Sequence, residues 1–464
     1  MGYKLIISVS CDFIVCFLVD DFEVKQIKIE KREKTRLLGS IFKGKVKRLA
    51  KGMDGVFVDI GLEREAYLPF KKYNESVNSE NSCIPTVGSD ILVQIKREPE
   101  DDKGPKVSCK ISLPGKYVVY LPYDNNIHIS NKIPQIKKEI FVSRLKEYVK
   151  NEGLIIRTAA LKASMDEIIY EFNYLKYQWQ EIKARAKSKS RPGIVYEEIP
   201  LYLSLIRDYC VDIEEIVIND SNVWIEIFCY LENELPLMIR NLKFVKDIGI
   251  YFRMYNLDKV LGSLFNKYIW LKKGGYIVIE ETEGMTVIDV NSGSYCKESL
   301  EHTALEINLE AVDHIARNIK LRNIGGIIVI DFIDMKSGEN RQRVLDKLNS
   351  AFADEAGITQ IFGMTKLGLV EISRKKSTPS ITKLLSAPCP YCRGRGYVKS
   401  PEFIIYEIEK ELSGLINGYM EIRVNPFLKD KLESIISNKK IKDRVTVRED
   451  NNIPVDYYEM VYLG

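Results

Sequence analysis

Two aspartates with the same local context are the residues of this chain best suited to bind a metal ion. Asp289 stands in the run Val-Ile-Asp-Val-Asn-Ser, and Asp331 stands in the run Ile-Val-Ile-Asp-Phe. Asn291 follows the first Asp by two residues. Two carboxylates with an amide beside them are hard oxygen ligands, which suit Mg²⁺ better than softer ions. A lone Asp would more often cap a strand–loop transition, but two at matching strand ends argue against that interpretation.

The surrounding elements must bring these carboxylates together. Apolar runs predict strands at Tyr276 to Glu280, at Met285 to Val290 and within Gly325 to Met335. The segment between the last two runs has the length of a helical crossover, so their strands can lie side by side in one sheet. Both Asp side chains would then meet at the sheet edge where ligand sites of α/β folds form. Asp334 is a further carboxylate that we expect near this site.

Short strands with glycine bends precede this region. The pattern predicts strands at Ile41 to Leu49, Gly55 to Ile60, Glu65 to Pro69 and Asp90 to Lys96. Closely spaced short strands of this kind indicate a small closed barrel of OB type.

One face of that barrel carries cations and aromatic rings. Lys43, Lys45 and Lys47 alternate along the first strand and therefore share a face. Phe57 and Tyr67 come from neighbouring strands and could stack on the bases of single-stranded nucleic acid. The alternative is that Phe57 belongs to the core and the lysines are only solvated.

The first 37 residues predict three strands, which make a poor domain alone. We expect them to pair with strands at Asp212 to Ile218 and Leu242 to Lys246.

Between the barrel and these strands, Arg157 and Thr158 end a strand just before a helix, where guanidinium and hydroxyl groups could hold an anion. The long helix that follows has an apolar stripe at 3–4 residue spacing, which we interpret as core.

A Cys-x-x-Cys pair, Cys389 and Cys392, lies among Pro, Gly and Arg residues. Two thiolates satisfy half of a tetrahedral structural zinc site, so two chains sharing one ion is the economical interpretation. A redox-active pair is the alternative.

The composition limits the class of protein. The chain has 464 residues, enough for several domains. Its net charge is only +4, so any surface for nucleic acid must be local. Nine scattered cysteines and the absence of an export signal or membrane span predict a cytoplasmic protein.

Several of these runs together resemble the ribonuclease E/G family. Gly-Lys-Val-Lys-Arg-Leu (44–49), Gly-Val-Phe-Val-Asp-Ile-Gly (55–61) and Glu-Ala-Tyr-Leu-Pro (65–69) resemble its S1 RNA-binding domain. Glu-Gly-Met-Thr-Val-Ile-Asp-Val-Asn-Ser-Gly (283–293), Glu-Ile-Asn-Leu-Glu-Ala (306–311) and Gly-Gly-Ile-Ile-Val-Ile-Asp-Phe-Ile-Asp-Met (325–335) resemble its DNase I-like catalytic domain.

The resemblance implies roles for particular residues. Catalysis is assigned to Asp289, Asp331 and Asn291, with the two aspartates holding Mg²⁺. Cys389 and Cys392 would hold Zn²⁺ shared between chains. RNA binding is assigned to Phe57, Tyr67, Lys43, Lys45, Lys103 and Lys297. Sensing of an RNA 5′-monophosphate is assigned to Arg157, Thr158, Gly115 and Val119.

The sequence also departs from the family pattern. A basic residue usually follows Asn-Ser-Gly closely, whereas this chain has Ser294-Tyr-Cys-Lys297, so Lys297 is expected to take over the phosphate contact. Ile358 stands where the best-known member of the family has an additional Arg in its sensor. A further basic cluster is expected to meet RNA phosphates; it comprises Arg322, Arg374, Lys375 and Lys376.

The fold class that follows is multidomain α/β and α+β, with an S1 (OB-fold) barrel inserted in an RNase H-like subdomain. The expected domains are a first RNase H-like segment (1–37), S1 (38–112), 5′ sensor (113–200), a second RNase H-like segment (201–266), DNase I-like (267–385), zinc-link (386–398) and a small C-terminal domain (399–464).

The implied function is a Mg²⁺-dependent endoribonuclease cutting single-stranded RNA, favouring 5′-monophosphates, in rRNA and tRNA processing and mRNA decay. A homodimer or homotetramer is expected, with no degradosome scaffold tail. The alternative is a non-catalytic RNA-binding protein in rRNA assembly or regulation. A metal-dependent phosphatase or DNase leaves the S1 insert unexplained.

Overall fold

The structure is a computed structural model with two compact units, Met1–Leu384 and Leu385–Gly464. It describes residues 2–21, 23–32, 36–50, 52, 54–70, 86–99, 103–294, 299–355, 357–376, 378–392, 394–413, 418–437 and 442–463.

The strands fall mainly in the first unit. In chain order they are β1 Tyr3–Val9, β2 Phe13–Asp20, β3 Glu23–Lys31, β4 Ile41–Leu49, β5 Gly55–Asp59, β6 Ala66–Pro69, β7 Asp90–Arg97, β8 Lys106–Ser108, β9 Leu113–Pro114, β10 Val118–Leu121, β11 Ile127–Ile129, β12 Gly153–Ile156, β13 Gly193–Tyr196, β14 Ile213–Ile218, β15 Leu242–Phe244, β16 Tyr268–Trp270, β17 Tyr276–Glu281, β18 Met285–Asn291, β19 Gly326–Asp331, β20 Thr359–Met364, β21 Leu369–Arg374, β22 Met420–Val424, β23 Val445–Glu449 and β24 Tyr458–Tyr462.

The α-helices occur between and after these strands. They are α1 Gln135–Leu145, α2 Met165–Ser188, α3 Leu201–Tyr209, α4 Ser221–Glu234, α5 Gly249–Tyr255, α6 Leu257–Ser263, α7 Leu300–Leu321, α8 Gly338–Ala351, α9 Ile381–Leu385, α10 Pro401–Leu412 and α11 Pro426–Ser437. Short 3₁₀ helices lie at Thr158–Lys162, Pro236–Asn241, Ala353–Glu355 and Lys442–Arg444. Within the described chain, none of the helices combines the length and apolar character that crossing a membrane requires.

The N-terminal strands complete a sheet with a later segment, as the sequence predicted. The sheet order is β15-β14-β1-β2-β3, and β1 pairs in parallel with β14. Its core contains Leu5, Ile7, Ile216 and Ile218. The segment between β3 and β14 is therefore inserted into this α/β layer.

The inserted barrel closes on itself, as the sequence predicted. Strand β4 pairs with β5 through one part of its length and with β7 through another, and β5, β6, β8 and β7 complete the circuit. The interior is apolar and includes Val46, Val56, Leu68 and Val93, each at most 1% exposed. Strand β13 joins the outside of β4.

A smaller sheet, β11-β12-β10-β9, packs on helix α2. The helix begins at a capping box, in which Ser164 accepts from Glu167 N while the Glu167 side chain accepts from Ser164 N. Its stripe of Ile168, Phe172, Leu175, Trp179 and Ile182 is buried against that sheet, which confirms the prediction that the stripe is core.

The sheet that carries the two aspartates has the order β16-β17-β18-β19-β21-β20. Helix α7 covers one of its faces, and Ile288 and Ile330 of the sheet lie in one buried cluster with Ile307 and Ile315 of the helix. Along β18 the buried and more exposed positions alternate strictly, which is the signature of a sheet with one covered face.

The second unit contains a three-stranded sheet of order β23-β22-β24. Helices α10 and α11 bury Ile404, Ile408, Leu428 and Leu432 against it. The unit therefore has an apolar core of its own.

Candidate active site

Asp289 and Asp331 occupy matching positions on two neighbouring parallel strands. Strand β18 pairs with β19 over five residue pairs from Met285↔Ile327 to Asp289↔Asp331. The crossover between them contains α7, whose first turn is capped by Ser299. The prediction that the two strands lie side by side is therefore confirmed, and their carboxylates end at the same edge of the sheet.

The two carboxylates are placed where they repel each other. Partial burial raises the pKa of Asp331, and the negative charges of Asp289 and Asp334 raise this pKa further. Among the described residues, no lysine or arginine forms an ion pair with Asp289 or Asp331. A divalent cation would remove this repulsion.

The donor set is compatible with Mg²⁺. Mg²⁺ keeps several water ligands and is usually bound by one or two carboxylates rather than by a complete protein cage. In the described part of the chain, no three His, Cys, Asp or Glu side chains converge into a ready metal cluster. Two carboxylates in register thus match an ion that brings water ligands of its own.

Asn291 lies beside Asp289 and fixes the orientation of its carboxylate. The Asn291 Nδ2 donates to Asp289 Oδ2 at 2.7 Å. The backbone here lies very close to the β16–β17 turn: a Cβ on Gly275 would lie 2.6 Å from Asn291 O, and one on Gly293, at φ +57°, would lie 2.5 Å from Gly274 O. Glycine at both positions lets the turn support the end of β18.

A buried asparagine holds the segment after Asp331. Asn308 on α7 is fully buried, and its Nδ2 donates to Ile333 O at 2.8 Å while Ile333 N donates to its Oδ1 at 3.0 Å. Glu301 accepts from Lys336 N and Ser337 N, a few residues further along the same loop. Both contacts were missed from the sequence, although Asn308 lies in the quoted run 306–311.

The loop fixed in this way also carries Asp334. Its side chain is exposed, and a Cβ on Gly368 would lie 3.7 Å from Asp334 Oδ1. Asp334 contributes to the raised pKa of Asp331, so it lies close enough to act on the same site electrostatically.

Two members of the expected basic cluster are buried and have structural partners, so the prediction that they meet RNA was wrong. Arg322 is 3% exposed and donates to the carbonyl oxygens of Asn266 and Ser263. Arg374 is 7% exposed and forms two hydrogen bonds of 2.8 Å with the Glu355 carboxylate. Lys375 is exposed, and Lys376 is partly exposed. Lys297 lies outside the described residues.

On the barrel, Phe57 and Tyr67 are cross-strand partners whose ring centroids lie 5.8 Å apart. Arg48 is the residue of β4 paired with Phe57, and its guanidinium lies 4.2 Å from the ring centroid. Lys106 pairs with Tyr67 on the other side. A row of Arg48, Phe57, Tyr67 and Lys106 therefore crosses the sheet, with a cation at each end of the ring pair.

The predicted lysine face is thus only partly correct. The register of β4 and β5 shifts between Val46 and Arg48, which brings Arg48 rather than Lys47 beside the rings. Lys47 pairs with Asp59, and Lys43 donates to Lys189 O at 2.8 Å and pairs with Asp90 at 3.0 Å. Lys45 and Lys103 are exposed.

Arg157 is anchored at the wall of the proposed sensor. Its Nη1 donates to Gly115 O at 2.6 Å and to Asp208 Oδ1 at 2.9 Å. The hydroxyl groups of Thr158 and Ser130 lie 3.1 Å apart, and both are near the surface. The pairing of Arg157 with Asp208 was not predicted, because the two residues are 51 positions apart in the sequence.

The wall itself is fixed by a carboxylate. Glu171 accepts hydrogen bonds from the backbone N–H groups of Lys116, Tyr117 and Val118. A Cβ on Gly115 would lie 2.7 Å from the Glu171 carboxyl carbon, so a larger residue there would displace this carboxylate. Val119 follows on β10 and is partly exposed. Ile358, in place of the expected Arg, is 45% exposed.

In the second unit, Cys389 is exposed and Cys392 is partly exposed, and neither forms a disulfide. Hydrogen bonds from the backbone amides of Gly396 and Gly394 are the largest cause of the lowered pKa of Cys392, and the Cys389 side chain lowers it further. Amides that stabilise a thiolate favour metal binding, because the thiolate is the ligand form.

Comparison with known proteins gives a consistent result. A model of the ribonuclease E/G family matches residues 112–377. The chain is 33% identical to Ribonuclease G of Haemophilus influenzae over 425 residues, which cover 88% of this chain and 87% of that protein. It is 31% identical to Ribonuclease G of Escherichia coli (strain K12) over 435 residues, or 90% and 89%. Ribonuclease E of Nostoc is 33% identical over 377 residues, which cover 78% of this chain and 54% of that protein.

Proposed function

The chain belongs to the ribonuclease E/G family, and we propose that it is a Mg²⁺-dependent endoribonuclease that cuts single-stranded RNA. The relatives named Ribonuclease G support an endoribonuclease over nearly the whole chain. The observation that carries the proposal is the register match of Asp289 and Asp331 at adjacent strand ends.

Each residue of the site has a separate task in this proposal. Asp289 and Asp331 would hold the ion, and the hydrogen bond from Asn291 fixes the orientation of the Asp289 carboxylate. A bound Mg²⁺ would supply Lewis-acid chemistry, namely polarisation of a phosphoryl oxygen and a lowered pKa of a bound water. Asn308 keeps the segment after Asp331 in place, so the spacing of the carboxylates is fixed before RNA arrives.

The barrel is the proposed S1 domain, which would hold the RNA strand. Phe57 and Tyr67 provide faces for bases, since stacking on aromatic rings does not depend strongly on sequence. Lys45 and Lys103 are exposed and can meet phosphates. Lys297, which follows the Asn-Ser-Gly run in the sequence, is a further proposed phosphate contact. Lys43 contributes less, because it is already paired with Asp90.

The sensor of a 5′-monophosphate is proposed at Arg157 and Thr158, with Gly115 and Val119 as its wall. Arg157 is held by Gly115 O and Asp208 through one nitrogen, Nη1, so the rest of its guanidinium can face an anion. The Thr158 and Ser130 hydroxyl groups supply donors at the same surface. This arrangement would favour RNA with a 5′-phosphate over RNA with a 5′-hydroxyl.

The Cys pair is the proposed zinc-link, in which Cys389 and Cys392 of two chains complete one tetrahedral Zn²⁺ site. The amide hydrogen bonds to Cys392 support this, because they favour its thiolate. The assembly would be a homodimer or a homotetramer.

The remaining layout follows the family: an RNase H-like layer split by the barrel and a DNase I-like domain around β18 and β19.

The proposed substrates are rRNA and tRNA precursors and mRNA in the cytoplasm. The test is incubation of a 5′-labelled single-stranded RNA with the protein in Mg²⁺ and in EDTA. Internal cuts that require Mg²⁺ support the endoribonuclease. Tight binding with no cuts in either condition would contradict it and favour the alternative, a non-catalytic RNA-binding protein.

A second arm of this test addresses the sensor. Two versions of the RNA, with a 5′-monophosphate and with a 5′-hydroxyl, are compared for rate. A faster rate on the monophosphate that Arg157→Ala abolishes supports the sensor, and equal rates in the wild type contradict it. Lys162→Ala is a matched control, because Lys162 pairs with Asp212 at the surface nearby.

A further inference from the structure

The sheet that carries the aspartates has one open face, and both site residues of β18 lie on it. Ile277, Ile288 and Val290 point to the face covered by α7 and are at most 5% exposed. Asp289 and Asn291 alternate with these residues and therefore point to the opposite, open face. Whatever else lies on this face next to Asn291 is in reach of a strand of RNA bound there.

The residues in that position are aromatic. Trp270 of β16 pairs with Tyr276 of β17, which in turn pairs with Asn291 of β18. The Trp270 and Tyr276 ring centroids lie 5.3 Å apart, and those of Tyr268 and Tyr276 lie 6.1 Å apart. Register partners share a face, so this aromatic row leads across the sheet directly to Asn291.

Two of the three rings are exposed to solvent. Trp270 is 70% exposed and Tyr268 is 52% exposed. Lys267 Nζ lies 5.8 Å from the Tyr268 ring centroid and is paired with the Glu280 carboxylate. Tryptophan is on average highly buried, and contiguous exposed apolar groups often mark binding sites, so the grouping of these rings beside the candidate active site indicates a ligand surface.

Base stacking is the chemistry that these rings offer. Neighbouring strands lie about 4.8 Å apart, so Trp270 is roughly 10 Å from Asn291 across two strand spacings. A short single-stranded segment spans that distance. We propose that Trp270, Tyr276 and Tyr268 form a stacking platform for bases of the RNA strand whose scissile phosphate lies at Asp289 and Asp331. This inference rests on the proposed function and adds positioning residues to it.

A second copy of the chain is the competing occupant of this face, and the distribution of side chains argues against it. The exposed aliphatic residues Met285 and Ile327 lie at the opposite end of β18 and β19 from the carboxylates. The aromatic rings instead lie at the end where the carboxylates are. A platform for bases has to be at that end, whereas a protein interface does not.

The test compares Trp270→Ala with Trp270→Phe and with Met285→Ala. Met285 is a matched control, because it lies on the same face and is 42% exposed but stands at the opposite end of β18 from Asn291. Losing one stacked base is expected to raise KM for single-stranded RNA roughly tenfold with little change in kcat. Trp270→Phe should restore most of the loss, and Met285→Ala should behave as the wild type.

A readout without cleavage separates this inference from the proposed function. In EDTA, a short single-stranded RNA should quench tryptophan fluorescence in the wild type and in Asp289→Asn, but not in Trp270→Phe. If the quenching depends on Trp270 but the wild-type protein never cuts RNA, the result contradicts the proposed endoribonuclease function and still supports the stacking platform.

Three results would overturn the platform itself. The first is a wild type that cuts RNA but shows no quenching that depends on Trp270. The second is an equal rise in KM in Trp270→Ala and Met285→Ala. The third is a change of oligomeric state of Trp270→Ala on size-exclusion chromatography, which would assign the rings to a protein interface.

Discussion

Asn291 donates a hydrogen bond of 2.7 Å from its side-chain amide to the carboxylate of Asp289, the residue two positions before it on the same strand. The bond joins two side chains of the open sheet face and leaves the second carboxylate oxygen of Asp289 available. It thereby fixes the direction in which Asp289 can bind a cation.

Replacing Asn291 by Ala should therefore lower activity although both aspartates are intact. Partners that orient ligands typically account for about 10- to 100-fold in metal affinity or activity. We expect the concentration of Mg²⁺ for half-maximal cleavage to rise by that order. Asn349→Ala is the control, since the Asn349 side chain bonds within its own helix. An unchanged Mg²⁺ requirement in Asn291→Ala would show that the bond has no orienting role.

Asn308 joins helix α7 to the segment that follows Asp331, so its loss should affect both stability and activity. Asn308→Ala removes two hydrogen bonds to the backbone of Ile333. The free energy of unfolding should fall by about 2 kcal/mol, and kcat should fall with it at temperatures where the variant is folded. Denaturant unfolding and initial rates measure the two effects.

The comparison for Asn308 is Asn233→Ala, because Asn233 is exposed and its side chain bonds to Cys229 O within α4. It should change neither quantity. A normal kcat in Asn308→Ala would show that the loop after Asp331 keeps its position without the two hydrogen bonds from Asn308.

Two lysines on the same barrel strand should differ in their contribution to RNA binding. Lys45 is exposed, whereas Lys43 is held by Asp90 and Lys189 O. Lys45→Gln should lower the slope of log affinity against log salt by about 0.7, the value for one contact with a single strand. Lys43→Gln should leave the slope unchanged. Equal slopes for the two variants would contradict the assignment of Lys45 to phosphate binding.

The proposed zinc-link at Cys389 and Cys392 leads to a defined ratio of zinc to protein. Wild-type protein purified without chelators should hold one Zn²⁺ per two chains, because each chain supplies two of four thiolates. Cys389→Ser and Cys392→Ser should lose both the ion and the dimer. Elemental analysis and light scattering check this, with Cys229→Ser, an exposed cysteine outside the pair, as control. One ion per chain would instead indicate a site within a single chain.

Much of the fold could be predicted from local patterns. The strict alternation along β18 and the short glycine-bounded strands of the barrel determine which faces are buried, and the strands and the closed barrel they predicted were confirmed. The pairing of Asp289 with Asp331 also followed, since a crossover of that length favours parallel neighbours. These features depend on periodicity, which a sequence displays directly.

Contacts between distant segments could not be predicted in this way. Arg374 looks like a surface cation in the sequence, yet Glu355 and the Ile324 carbonyl bind its guanidinium in the interior. The register shift before Arg48 moves that residue beside Phe57 in place of Lys47. Asp208 meets Arg157 only because α3 packs near the end of β12. Each case is decided by a partner whose position is set by the tertiary fold.

The most direct test of the central claim is the cleavage of single-stranded RNA in Mg²⁺ by the Asp289→Asn and Asp331→Asn variants. Asp313→Asn serves as the control, because Asp313 is an exposed carboxylate that pairs with Lys347 away from the strand ends. Both site variants should fold, bind RNA and lose internal cleavage, while the control cuts as the wild type does. Cleavage that persists in either site variant would contradict a reaction that depends on the paired carboxylates.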